Sequence, residues 1–380
     1  MPRCFALFSG GLDSALAIKI MQQQGIDVIA LNFVSHFFGG PSEKGTFMAK
    51  QLNVPIMYVP FEEQQLAVTL NPTHGRGKNF NACIDCHAAM IRVAGKLMSQ
   101  YNVDFIVTGE VLGQRPMSQN AAALKKVQAL SEFGELILRP LSGKILPEVE
   151  ANKFVPRDKL QDIEGRSTHR QEKMAKEFGI VTYPSHGGGC LLTDPTFGLK
   201  MKKLSDDGAV FKQNQFMMKA MNSGRVIRID ASQYIIVGRD YKENCNLEKY
   251  FEFCTHITAI TPVTDEQLEL PGPHMLILDF TNQKGEPVIF NEVQIKPTDM
   301  EDNVQPGECK MCPSLEEFHN EKVFFKAGDD LVHMALKTFN YFCKGKGKVP
   351  AICELDGVKV KTEAVEETDV AKIRAGIIGI

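Results

Sequence analysis

Apolar and polar positions along the first 140 residues repeat one order: a short apolar run, a turn, then a segment with helical spacing. Cys4 to Phe8 is the first run, Ser9-Gly10-Gly11 the turn, and Leu12, Ala15, Leu16 and Ile18 to Ile20 fall on a helical face. Gly25 closes that helix, and Val28 to Phe33 predicts a second buried strand. A helix over Glu43 to Leu52 leads to Pro55 and a third strand, Ile56 to Val59. Further on, a helix from Cys83 through Met98 precedes a strand at Phe105–Thr108, and another strand follows at Leu136–Leu138. Short apolar strands alternating with helices specify an α/β fold with a doubly wound parallel sheet. Residues 148–180 read as helical, with Gly165 and the basic step Arg166-Ser167-Thr168-His169-Arg170 inside.

From about Phe197 the pattern changes. Val226–Ile229 and Tyr234–Val237 predict a hairpin through Ser232, and Met275–Phe280 and Val288-Ile289-Phe290 predict further strands, a β-rich module ending near Pro297. The tail carries a helix over Asp330–Phe342 and strands near Ala351–Leu355 and Gly357–Val360. A chain of 380 residues is too long for one ordinary core. The expected division is 1–205, 206–298 as a smaller β-rich module, and 299–380 as an α+β tail.

Composition narrows the function classes. Hydrophobic content of 43% and charged content of 23% are those of a globular protein. A net charge of −3 gives no overall attraction to nucleic acid, so an RNA site must be a local patch. One stretch offers it: between Thr196 and Cys245 stand Lys200, Lys202, Lys203, Lys212, Lys219, Arg225, Arg228, Arg239 and Lys242 against Asp206, Asp207, Asp230, Asp240 and Glu243, nine bases minus five acids, +4. No window approaches ~20 uninterrupted apolar residues, so no membrane span is expected. No secretory signal is read at the start, and ten cysteines then point to a reducing cytoplasm and to metal or redox chemistry.

The candidate chemistry begins at the first turn. Ser9-Gly10-Gly11-Leu12-Asp13-Ser14 places backbone N–H groups at a helix N-terminus, where donors lack partners and the dipole is positive. Glycine lets a phosphate approach such a cradle closely. It is neither the Gly-x4-Gly-Lys-Ser/Thr loop nor the Gly-x-Gly-x-x-Gly fingerprint. Ligands of parallel sheets lie beyond the carboxyl ends of the strands. There Thr108-Gly109-Glu110, the Gly113–Asn120 loop and Arg139-Pro140-Leu141 also fall. Arg115 and Arg139 are candidates for phosphate contact, with ordinary surface arginines the alternative.

A Gly- and Asn-rich loop, residues 71–82 with Arg76 and Lys78, delivers Cys83-Ile84-Asp85-Cys86-His87 to a helix start. Such a pair suits half a zinc ribbon, a dithiol redox pair or two ligands of an iron–sulfur cluster. Cys190, after Gly187-Gly188-Gly189, is the natural third member, since Cys309 and Cys312 lie more than two hundred residues away. His186 is expected to be a loop hydrogen-bonder. Cys4, Cys245, Cys254, Cys343 and Cys353 are expected to be inert core residues.

The form Ser-Gly-Gly-x-Asp-Ser resembles the pyrophosphate loop of the N-type ATP pyrophosphatases, with their adenine nucleotide alpha hydrolase-like fold. With the cysteine pair, the single Cys190 and Thr108-Gly109-Glu110, residues 3–205 resemble the PP-loop tRNA thiolation enzymes, which include 2-thiouridylases and 4-thiouridine synthases. The resemblance implies an ATP site at Ser9, Gly10, Gly11, Asp13, Ser14, Gly109, Glu110, Arg115 and Arg139, with Mg²⁺ shared by Asp13. It implies that a base carbonyl of tRNA is adenylated with release of pyrophosphate and then exchanged for sulfur, with Asp13, Cys83, Cys86 and Cys190 catalytic. Cys83, Cys86 and Cys190 would hold a 4Fe-4S cluster with one open iron, or else act without metal through a persulfide. The sulfur donor is then sulfide or a persulfide carrier, and a homodimer is an allowed assembly. A PP-loop ligase or amidotransferase acting on a substrate other than RNA is the rival reading. The N-terminal RNA-binding extension of 4-thiouridine synthases is not recognised here. Ile235-Ile236-Val237-Gly238-Arg239-Asp240, Lys242-Glu243-Asn244 and Pro271-Gly272-Pro273-His274 resemble instead the RNA-binding module of ribosome-rescue NFACT proteins.

Overall fold

A computed structural model describes residues 1–39, 43–183, 189–259, 272–283, 285–289, 309–310, 323–343, 347 and 351–379. His186, Pro271, Phe290 and Cys312, named above, lie outside these residues. The chain forms two compact units, Met1–Cys190 with Ile289–Phe318, and Leu191–Val288 with His319–Ile380. By this division the second unit begins at Leu191 and takes in the tail, where the sequence suggested boundaries at 205 and 298.

In the first unit the elements run β1 (Arg3–Leu7), α1 (Leu12–Gln23), β2 (Asp27–Val34), α2 (Glu43–Leu52), β3 (Ile56–Pro60), α3 (Glu62–Leu70), α4 (Cys83–Leu97), β4 (Phe105–Thr108), α5 (Ala121–Leu130), β5 (Ile137–Leu138) and α6 (His169–Glu177). The sheet is parallel throughout, in the order β3-β2-β1-β4-β5, with a two-residue strand, Cys309–Lys310, beside β3. Successive strand residues point to opposite faces. Ala6, Val28, Ala30 and Phe105 accordingly join the core that contains Leu16 and Ile20 of α1, whereas Phe5, Ile29, Leu31 and Ile106 join that of Ile91 and Val93 of α4. Both faces are thus covered, as the continuous apolar runs require. The winding reverses between β1 and β4, which is where such sheets bind ligands.

Residues 148–180 are not one helix. Single 3₁₀ turns stand at Glu150–Lys153 and Arg157–Lys159, and only His169–Glu177 is α-helical. Pro156 donates no N–H and disfavours helix in the residue before it, and Gly165 takes φ +86°, outside the right-handed helical region. Two helices, α3 and α5, were not anticipated. The second has a sequence signal, since Asn120 Oδ1 accepts from Ala123 N at 2.9 Å as its N-cap.

The second unit is built on an antiparallel sheet whose strands lie in the order Val358–Lys361, Ile352–Leu355, His256–Ala259, Met275–Asp279, Gln233–Val237 and Arg225–Arg228. The predicted hairpin through Ser232 forms its edge, pairing Val226 with Ile236 and Arg228 with Tyr234. The tail belongs to this sheet because Cys353 and Leu355 pair with Ala259 and Ile257. Helix Asp329–Phe342 lays Leu331, Ala335 and Phe339 on one face, against Ile235 and Ile277. Phe280 and Phe325 (ring centroids 5.1 Å) belong to an aromatic cluster with Phe211, Phe216 and Phe253. Val288 and Ile289, expected in a strand, lie outside any.

Candidate active site

The β1–α1 turn is shaped by two glycines. Gly10 takes φ +75°, where a side chain would be strained, and Gly11 is the N-cap of α1, so no side chain caps the helix start. Gly11 N donates to Ser9 Oγ at 3.3 Å, and Ser14 Oγ donates to Gly11 O at 2.9 Å. The end of β4 closes on this turn: a Cβ on Gly109 would stand 2.6 Å from Ser14 N. The two segments can therefore pack only with glycine at 109.

Together they border a cavity of about 450 Å³. Of the residues named for the ATP site, Ser9, Gly11, Asp13, Ser14, Gly109, Glu110 and Arg115 line it, and Gly10 and Arg139 do not. Gln114, in the same lining, donates from Nε2 to Asp13 Oδ2 at 3.0 Å. Sequence reasoning had not assigned His87, Gln119, Arg166 or Thr168 to this wall. A larger cavity, about 890 Å³, borders α5, β5 and residues 143–152 and holds none of the loop residues.

Arg139 is placed differently from the expectation. It is buried behind the wall, its Nε 2.9 Å from Glu110 Oε2, and it borders the larger cavity instead. Glu110 accepts from Thr108 Oγ1 at 3.1 Å and faces His87 Nδ1 at 2.9 Å. Burial alone would raise the Glu110 carboxyl; the charge of Arg139 and the His87 contact override it and hold it at about 2. Glu110 is thus an ionised anchor between a buried cation and a histidine of the cavity wall.

Cys83 and Cys86 lie on the helix that carries His87, and none of the three cysteines lines the cavity. Cys83 opens α4 and Cys86 lies on its next turn, with no side chain capping the helix. Asp85 holds the preceding loop, accepting from Thr73 N at 2.7 Å and from His74 N at 3.1 Å. Asn81 Nδ2 donates to Cys83 Sγ at 3.1 Å, and Gln65 Nε2 to Cys86 Sγ at 3.5 Å. Burial pushes the Cys86 thiol well above its ordinary value, and the neighbouring Cys190 and Cys83 raise it further. Arg76 does not reach a ligand: it donates to Thr69 O and Leu70 O at the end of α3 and lies over the Phe80 ring. Among the described residues no three His, Cys, Asp or Glu are grouped as a ready metal site. Cys4, Cys254, Cys343 and Cys353 are buried as expected, while Cys245 is half-buried.

In the second unit most of these bases have partners within the fold. Lys200 is buried and donates to Met221 O and Gly224 O, both at 2.8 Å, and burial lowers it to about 8. Lys202, Lys203, Arg228, Arg239 and Lys212 face Asp206, Asp207, Asp207, Glu243 and Glu286. Arg225 lies over the Phe342 ring. Lys219 and Lys242 alone of the nine make no such contact among the described residues. The two stretches likened to the NFACT module do meet: Gly238 N donates to His274 O, and His274 N to Asn244 Oδ1, each at 3.0 Å.

Residues 2–150 match the family described as "Thiamine biosynthesis protein (ThiI)". A "Probable tRNA sulfurtransferase" of Finegoldia magna is 31% identical over 155 residues, 39% of this chain and 37% of that protein. A "tRNA sulfurtransferase" of Desulfurococcus amylolyticus is 30% identical over 148 residues, 37% of this chain and 30% of that one. The chain thus spans about a third of the length of the curated relatives it matches. Among solved structures, "a 4-thiouridine synthetase - RNA complex with bound ATP" is 18% identical over 47% of this chain and 52% of its own, with a TM-score of 0.32. The family match ends before the NFACT-like stretch. Among the described residues no helix is long and apolar enough to cross a membrane.

Proposed function

We propose that this chain, whose residues 2–150 match the ThiI family, is an ATP-dependent tRNA sulfurtransferase. The observation that carries the reading is the cavity in which the Ser9–Ser14 turn and the Gly109–Glu110 end of β4 meet, with His87 bridging to the cysteine helix. ATP lies with its pyrophosphate on the uncapped N–H groups of α1, and Asp13 holds the accompanying Mg²⁺ with Gln114 orienting its carboxylate. A base carbonyl oxygen of the tRNA attacks the α-phosphorus and pyrophosphate departs. Sulfur then replaces AMP at the same carbon. Converting a poor oxide leaving group into AMP is what the cationic and N–H groups at the cavity are for, with Arg115 and Arg166 on its wall.

Cys83, Cys86 and Cys190 offer three thiols, the donor chemistry that iron–sulfur clusters take, and two of them receive N–H hydrogen bonds. A 4Fe-4S cluster held by them would supply iron able to bind inorganic sulfur. The protein's own part is to present Cys83 and Cys86 on the helix that carries His87 and to keep the Cys86 sulfur away from bulk water. Sulfide or a persulfide carrier supplies the sulfur, and Lys219, Lys242 and the hairpin of the second unit contribute to holding the RNA.

The test is direct. Purified protein with ATP, Mg²⁺, sulfide and unmodified tRNA is expected to yield AMP, pyrophosphate and a thiolated nucleoside detected by mass spectrometry. ADP and orthophosphate as the only nucleotide products would exclude the reading.

A further inference from the structure

Two side-chain amides aim at two cysteine sulfurs, and neither amide is explained by the fold. Gln65 is 1% exposed on α3, and its Nε2 is 3.5 Å from Cys86 Sγ. Its Oε1 has no hydrogen-bond partner among the described residues. An amide buried to that degree costs stability unless its groups are satisfied, and a leucine would fill the same space without that cost. Asn81 is the second. Its Nδ2 stands 3.1 Å from Cys83 Sγ.

The loop around Asn81 is built to hold that amide. Gly77 N donates to Asn81 O at 2.8 Å, and a Cβ on Gly77 would stand 2.5 Å from Asn81 Nδ2. Arg76 pins the loop to the end of α3, and Asp85 pins its other limb. The loop is therefore a clamp for one amide. Gln65 and Asn81 approach from separate segments, α3 and the loop, and reach two sulfurs that are one helical turn apart.

We propose that Gln65 and Asn81 are positioning residues of the sulfur centre, each donating an N–H to one of the two sulfurs and so stabilising its electron-rich state. The proposal rests on the sulfur-transfer reading above. Hydrogen bonds to sulfur are one of the levers that set the potential of an iron–sulfur centre, and N–H donors favour the reduced form. In a metal-free route the same donors would steady an anionic sulfur. The selectivity is pairwise: Gln65 serves Cys86 and Asn81 serves Cys83.

Gln65→Met keeps the length and apolar packing of the side chain but removes the N–H, and Asn81→Leu does the same in the loop. Full-length protein, reconstituted anaerobically with iron and sulfide, is assayed for both elements and then titrated for its midpoint potential. The variants are expected to retain near wild-type iron and sulfide, with potentials shifted negative, and further in the double variant than in either single. Unshifted potentials at full iron content would overturn the proposal while leaving the cluster reading intact. A wild-type protein that takes up no iron would sink the cluster reading instead, and the proposal is then decided on the metal-free protein. There, alkylation by iodoacetamide at fixed pH, resolved by peptide mass spectrometry, is expected to slow at Cys86 in Gln65→Met and at Cys83 in Asn81→Leu, each leaving the other cysteine unchanged. Equal rates at the paired cysteine, or equal changes at both, would refute it.

Discussion

His87 Nδ1 lies 2.9 Å from Glu110 Oε1, and this contact ties the helix that carries Cys83 and Cys86 to the strand end that supports the phosphate turn. Glu110 in turn holds buried Arg139, so one carboxylate fixes the wall of the cavity and the cation behind it. A shift of either segment would move the sulfurs relative to the turn. The geometry therefore couples the two halves of the proposed reaction through a residue, Glu110, that sequence reasoning had placed on the nucleotide itself.

That carboxylate gives a pH dependence of known sign. Its folded value, about 2, is below the ordinary 4.5, so between those values the unfolded chain binds more protons than the folded one. The stabilisation is complete above pH 4.5 and is lost as pH falls toward 2, on the order of 3 kcal/mol over the window. Glu110→Gln leaves Arg139 buried without a counter-charge and is expected to cost roughly 3–5 kcal/mol at pH 7. Urea unfolding at several pH values should show the gap between wild type and variant narrowing below pH 4.5. A gap independent of pH would remove Glu110 as its source.

The close approach of Gly109 to Ser14 predicts a different failure. Gly109→Ala must push the turn away, since 2.6 Å is too close for a Cβ, and overpacking of this kind costs about 1–3 kcal/mol. The loss should fall mainly on nucleotide binding. Gly25→Ala is the control, because Gly25 has φ +70° but nothing within 4 Å of its would-be Cβ. Calorimetry is expected to show ATP affinity lost in the first variant and kept in the second.

How much of this was legible in the sequence depends on how local the signal is. The parallel sheet was, because β1 to β5 are short, mostly apolar runs with a glycine or proline close to one end, and both faces of the sheet are buried. The lining of the cavity by Ser9, Asp13, Ser14 and Arg115 was legible too, since a turn at a strand end fixes where its residues go. Arg139 was not: its position after β5 says that it lies near the ligand side, but only the fold reveals Glu110 as its partner. His87 was hidden by its neighbours, because a histidine after a Cys pair reads as part of the pair. For the basic stretch the sequence shows the net charge but not the partners: Lys203 and Arg228 share Asp207, an acid the count of +4 had already subtracted. The tail was read as separate because the strand it pairs with, His256–Ala259, lies about a hundred residues earlier.

The internal use of those bases leads to a prediction on RNA affinity. Lys219→Ala with Lys242→Ala should lower the slope of log K against log salt by about 2, as two phosphate contacts require. Lys200→Met should leave the slope unchanged, because the amine is buried on Met221 O and Gly224 O. Filter binding of tRNA across a salt series measures both. Equal slopes in wild type and the double variant would remove these lysines from the RNA contact.

The two half-reactions should separate by mutation, because Asp13 lines the cavity and the three cysteines do not. Asp13 lies in the turn, its Oδ2 held by Gln114 at 3.0 Å, and its role is to hold the cation that neutralises the leaving pyrophosphate. Asp13→Asn keeps the shape and removes the charge, so exchange of labelled pyrophosphate into ATP in the presence of tRNA should fall by on the order of 10²–10³. Cys83, Cys86 and Cys190 do not line the cavity, and adenylation needs no sulfur. Each Cys→Ser variant is therefore expected to retain the exchange within about threefold while forming no thiolated nucleoside, a split that a loss of fold cannot produce. Cysteine variants that lose exchange as completely as Asp13→Asn would place the sulfurs in the first step, and the ordered scheme would have to be abandoned.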